Sequence, residues 1–248
     1  YDEAIAEFAR AHRANPAAIE PLQGLVQAYL AQGRPDLALA TVKAQLRITS
    51  PTLHQAYFLL AQIYEKQNQS AEAIRAYQRV FDIKATWDAP YLALAQHYYA
   101  RKENQKGLAI LDTALRVMPN NQIVALHLAG MLEANQNFER AIAEYEKILQ
   151  QDANLEVAMN NLSILLLDKR GDKASVERAL KLARRFDNSH NAAYLDTLGW
   201  ALFKSGQASR GLPYLEKALA AEPDMPSYHY HIGLAYKAAG EKDKAKTH

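Results

Sequence analysis

Three segments of the chain repeat one pattern of large and small residues, and the interval between copies constrains the fold more than any other feature. Tyr91 to Tyr98, Leu195 to Leu202 and His229 to Tyr236 each carry large residues at offsets 0, 3 and 7 and a small one at offset 4. Those offsets fall on one face of a helix. The small residue (Ala95, Gly199 or Gly233) admits a neighbouring helix at close range. About twelve residues later a second pattern follows, seen in Gly107, Leu111 and Ala114, in Ala141, Tyr145 and Ile148, and in Gly211, Leu215 and Ala218. A breaker such as Pro119 or Pro223 comes next. Between the two helices sits a polar turn, with glycine at Gly33, Gly206 and Gly240. Glycine suits a helix end because it accepts positive φ without a Cβ clash.

Repeats begin near Ile19, His54, Asp88, Gln122, Glu156 and Ala192, with a truncated copy from Pro226. Residues 1–18 read as the second helix of a preceding repeat, with Ala4, Phe8, Ala11 and Pro16 in register. These motifs resemble the tetratricopeptide repeat, a helix–turn–helix unit of about 34 residues, and the resemblance covers the whole chain. It implies an all-α fold: a right-handed α-solenoid of antiparallel helix pairs, one array over residues 1–248, whose first helices line the concave side. The chain opens at Tyr1 within a repeat, so it reads as a piece of a longer solenoid. Uncapped repeat faces at both ends would allow a homodimer.

Departures from the pattern carry their own expectations. The turn glycine is replaced by Asn68, Lys102, Gln136 and Arg170, and a position that is usually small holds Gln45. The fifth repeat is irregular. The run from Leu167 to Ser175 predicts a longer inter-helix loop at 169–175, and the descent after Phe186 is short.

Composition agrees with an all-helical reading. Apolar residues make up 49% of the chain, enough for a core, and the dominant types favour helix. Each pair has an apolar face that only stacking can bury. Leu59, Leu60, Tyr64, Leu94, Tyr98, Leu128, Leu132, Leu162, Leu166, Leu198, Leu202, Ile232 and Tyr236 lie on it. The net charge of +2 argues against nucleic acid as a partner. No apolar run reaches the length of a membrane span.

Signs of catalysis are few. The chain has no cysteine, and none of its eight histidines falls in a His-Glu-x-x-His motif. His229 and His231 are two apart and point to different sides of a helix. Phosphate loops, dinucleotide fingerprints and nucleophile elbows are missing. The expectation is a non-enzyme without metal or cofactor. Lys169, Arg170, Lys173, Arg178, Lys181, Arg184 and Arg185 form a basic stretch that reads either as a docking patch or as a solvated face.

The family resemblance implies ligand-facing positions 2, 5, 9, 12 and 13 of each first helix. Mapped onto this chain, they include Phe58, Gln62, Gln96, Tyr99, Asn160, Trp200, Phe203 and Tyr230. The lysine and asparagine set with which some relatives clamp a C-terminal carboxylate is absent. What remains is aromatic and rich in glutamine, suited to a protein or peptide with hydrophobic anchors. The same rings also suit packing between adjacent first helices. On the ligand reading, Trp200→Ala or Phe58→Ala weakens binding and leaves melting nearly unchanged. Tyr194 to Gln207, Gly211 to Ala218 and Tyr228 to Gly233 are similar to bacterial envelope repeat proteins of exopolysaccharide export and exosortase-type sorting. That resemblance implies a periplasmic or lipoprotein scaffold. A cytoplasmic co-chaperone or assembly adaptor and a self-associating scaffold are the competing readings.

Overall fold

The computed structural model describes residues 1–48 and 50–248. Fifteen α-helices and no strand occur among them. Their contacts form two compact units, Tyr1–Val124 and Ala125–His248. The division falls in the first turn of α8 (Gln122–Ala134). The first unit holds α1 (Asp2–Ala14), α2 (Ile19–Ala31), α3 (Pro35–Gln45), α4 (Leu53–Lys66), α5 (Ser70–Ile83), α6 (Asp88–Ala100) and α7 (Asn104–Val117). The second holds most of α8, then α9 (Phe138–Gln151), α10 (Glu156–Leu165), α11 (Lys173–Ala183), α12 (Ala192–Lys204), α13 (Ala208–Ala221), α14 (Pro226–Ala239) and α15 (Lys242–Ala245). Within each unit the architecture is that of an α-solenoid: helices pair with their chain neighbours, and successive first helices touch, as α2 does α4 and as α12 does both α10 and α14.

The apolar face is buried as its spacing requires. In the first unit Leu59, Leu60 and Leu94 pack with Leu22, Ile63 and Tyr77. In the second, Leu162, Leu166, Leu198, Leu202, Ile232 and Tyr236 are buried, as are Leu128 and Leu132. Tyr64 and Tyr98 are half-buried, each ring under a lysine, Lys43 and Lys106.

The turns show why the glycine can be replaced. Asn68, Lys102 and Gln136 all take positive φ, 57°, 62° and 58°, the conformation of Gly33, Gly206 and Gly240. In each turn the next residue's N–H returns to a carbonyl five positions back: Gln69 to Tyr64, Glu103 to Tyr98, Asn137 to Leu132. This closure satisfies carbonyls the helix end leaves open. The motif therefore dictates the conformation, and the side chain follows.

The fifth repeat differs from its expectation. Arg170 does not take the left-handed position. The helix continues through a π-helical turn, Leu166–Arg170, and Gly171 takes it instead at φ 67°. Asp172 then caps α11, its carboxylate accepting from the Ser175 N–H at 3.1 Å. The longer loop expected at 169–175 is thus absent, because a π bulge absorbs the extra residue inside the helix. Later, α11 ends at Ala183 and a 3-10 turn, Arg184–Phe186, carries Phe186 into the core, stacked on Tyr194 at 4.6 Å.

Gln45 also finds its reason. It is 3% exposed, and its amide donates to the Pro16 carbonyl at 2.7 Å, tying α3 to the descent that precedes α2.

Candidate functional site

The positions that the resemblance implies face a ligand separate into two groups, one per unit. In the first unit, Phe58 is half-buried, its ring 4.9 Å from Trp87 in an edge contact. Gln62 lines a hollow of about 440 Å³ with Leu30, Glu65 and Lys66. Gln96 lines a larger one of about 620 Å³, beside Glu65, Ser70, His97 and Arg101. Tyr99 follows Gln96 by three residues on α6, about one helical turn, and is 37% exposed.

The larger hollow holds a hydrogen-bonded chain that spacing alone does not reveal. His97 Nε2 lies 2.7 Å from Ser70 Oγ, and His97 Nδ1 lies 3.2 Å from Glu65. Burial raises the Glu65 carboxyl above its ordinary value, offset in part by His97. The chain joins α4, α5 and α6, helices of two successive repeats. No local pattern marks His97 in the sequence, because its partners lie 27 and 32 residues away.

In the second unit the aromatic residues do come together. Trp200 stacks on Phe203 at 4.9 Å and on His231 at 4.1 Å, and Tyr230 tilts against it at 6.1 Å. The indole N–H donates to Asp168 at 2.8 Å. His231 Nδ1 meets the Asp196 carboxylate at 2.9 Å. Asp196 is 6% exposed, and its burial raises the carboxyl above the ordinary value, with the His231 bond opposing that shift. Asn160 accepts from Thr197 at 2.7 Å and donates to Asn161. Asn161 in turn reaches the Tyr145 hydroxyl, which donates to Glu133.

These contacts change what two positions can do. Trp200 is 4% exposed and Asn160 7%. Both serve the face from beneath, satisfied by neighbouring helices. The expectation that Trp200→Ala leaves melting unchanged is corrected accordingly: the ring is core, and truncating it opens a cavity. Tyr230 is the contrasting case at 61% exposure. Among the described residues no three His, Asp or Glu side chains gather as a metal site, and no helix is long and apolar enough to cross a membrane.

Comparison with known proteins accounts for most of this pattern. Family models described as tetratricopeptide repeat match residues 1–51, 54–86, 92–156 and 197–245. Residues 157–196, which contain the π turn and short α11, lie outside those matches. No curated protein matches the sequence. Among solved structures, the C-terminal part of a repeat protein from Cytophaga hutchinsonii is similar, with a TM-score of 0.65 at 14% identity over 94% of each chain. PilF of Pseudomonas aeruginosa gives 0.59 at 17% identity, covering 92% of this chain and 96% of its own. YrrB, described as having an unusual peptide-binding site, gives 0.56 at 17% identity over 68% of this chain and 87% of its own. With repeat models matched along most of its length and helix pairs of the same architecture, this chain belongs to the tetratricopeptide repeat family.

Proposed function

We propose that the chain is a non-catalytic scaffold whose first-helix faces bind a protein or peptide partner. The observation that carries this reading is the exposure of Tyr230 and Tyr99 at ligand-facing positions, where packing does not use them fully. Gln62 and Gln96 beside open hollows supply amides for a peptide backbone. The peptide-binding site named for YrrB supports the same class of ligand. A bacterial envelope system is the setting the C-terminal repeats favour, consistent with exopolysaccharide export or sorting. A cytoplasmic adaptor and a self-associating scaffold are the alternatives.

The test is retention of a partner from the native source by the wild type and by Tyr99→Ala and Tyr230→Ala variants. Loss of the same partner, with helicity and melting unchanged, is the expected result. Retention by both variants rejects the face. Size-exclusion chromatography across protein concentration tests self-association.

The non-catalytic part of the reading meets one specific challenge. Ser70, His97 and Glu65 lie in the order of a hydrolytic triad. Their expected role is to fasten successive repeats, so a fluorophosphonate probe should leave Ser70 unlabelled. Stoichiometric labelling would overturn the scaffold reading.

A further inference from the structure

In the second unit, between the α11 segment and α13, a cleft of about 730 Å³ opens over α12. Its walls are Arg184, Asp187 and Asn188 from the end of the α11 segment, and Arg210, Tyr214 and Lys217 from α13. Leu198, Leu202 and Pro213 supply its apolar surface. Helix α11 continues directly into the 3-10 turn Arg184–Phe186, and the buried ring of Phe186 turns inward just before Asp187 and Asn188 of the cleft wall.

The charges in this cleft are unbalanced. Arg184, Arg210 and Lys217 are exposed, and none makes an ion pair among the described residues. Arg210 donates to the neutral Gln207, and Lys217 sits 6.0 Å from the Tyr214 ring. The one carboxylate present, Asp187, already accepts from the Tyr214 hydroxyl. Elsewhere in the basic stretch Arg170 pairs with Glu139 and Arg185 bonds the Asn154 amide oxygen, while Lys173, Arg178 and Lys181 of α11 are exposed like the cations of the cleft. What sets the cleft apart is that three cations without a carboxylate partner among the described residues border one apolar floor.

We propose that the cleft binds an acidic peptide segment, its carboxylates met by Arg184, Arg210 and Lys217 and an apolar side chain seated on Leu198 and Leu202. Arginine forks match carboxylates in two-bond geometry, and the volume is that of a ligand pocket. The apolar floor favours a peptide over an inorganic or sugar phosphate, which has nothing to place there. None of the residues lining it is among the candidate ligand-facing ones, so the site stands or falls independently of them.

The experiment is selection from a displayed library of random short peptides on the whole chain, repeated on an Arg184→Gln/Arg210→Gln double variant and on Tyr230→Ala. Both arginines are exposed, so circular dichroism should show the double variant folded. The expected result is enrichment of peptides combining Asp or Glu with an apolar residue, lost in the double variant and kept in Tyr230→Ala. Fluorescence anisotropy on an enriched peptide should show at least about tenfold weaker binding after its acids become amides. The proposal is overturned if no acidic peptide is enriched, or if the double variant enriches the same set. It is equally overturned if inorganic polyphosphate or single-stranded DNA outcompetes the peptides at equal charge.

Discussion

Asp196 shows how a single side chain couples this fold to pH. Burial lifts its carboxyl above the ordinary value of 3.8, against the opposing pull of His231. The folded chain therefore holds that proton more tightly than the unfolded one. Its stabilising contribution is present below 3.8 and is lost as pH rises through the folded value. In urea titrations over this range, the wild type should lose stability relative to Asp196→Asn as pH rises; the opposite slope would show that the histidine dominates. Trp200 and Tyr230 make a second contrast. Trp200→Ala should cost about 3–5 kcal/mol as a core truncation, and Tyr230→Ala less than about 0.5 kcal/mol as a surface change, read as the difference in unfolding free energy. Both residues stood at ligand-facing positions in the sequence. Their separation into support and surface depended on Asp168 and His231, which lie 32 and 31 residues from Trp200, so no local pattern could foretell it.

Helices were the most legible level. The offsets that bury Leu59, Leu94, Leu162 and Leu198 follow from the period of the helix alone. Small positions were legible too, and Gly211 shows their cost. A Cβ there would lie 2.5 Å from the Gly199 carbonyl oxygen, backbone against backbone, where neither helix can yield cheaply. Gly211→Ala should therefore destabilise the α12–α13 pair by about 1–3 kcal/mol. At Gly130, with nothing within 4 Å of the added carbon, the same change should stabilise by about 0.5–1 kcal/mol. Paired thermal melts settle both signs. What spacing missed was the fifth repeat. The residue count showed that something was added, but loop and π bulge accommodate an extra residue equally well in one dimension. The three-dimensional choice rests on Leu166 and Leu167, whose burial holds the helix together past its usual end.

At the scale of the whole molecule, stability should vary along the chain because each pair is held chiefly by its neighbours. Helices α1 and α15 bury none of their residues, whereas α12 buries Leu195 through Leu202 in succession. Amide hydrogen exchange should therefore be fastest in α1 and α15 and slowest in α12 and its partner α13. Uniform protection would mean that each unit opens only as a whole. The π turn bears on this molecule in another way. A chain of near-equivalent helix pairs risks stacking in the wrong order, because any first helix presents nearly the same face to any other. One repeat of unequal length cannot slide into its neighbour's place without leaving its extra residue unhoused. The bulge at Leu166–Arg170 should thus act as a key in an otherwise repetitive assembly, and refolding of a variant without its extra residue should yield more misfolded chain.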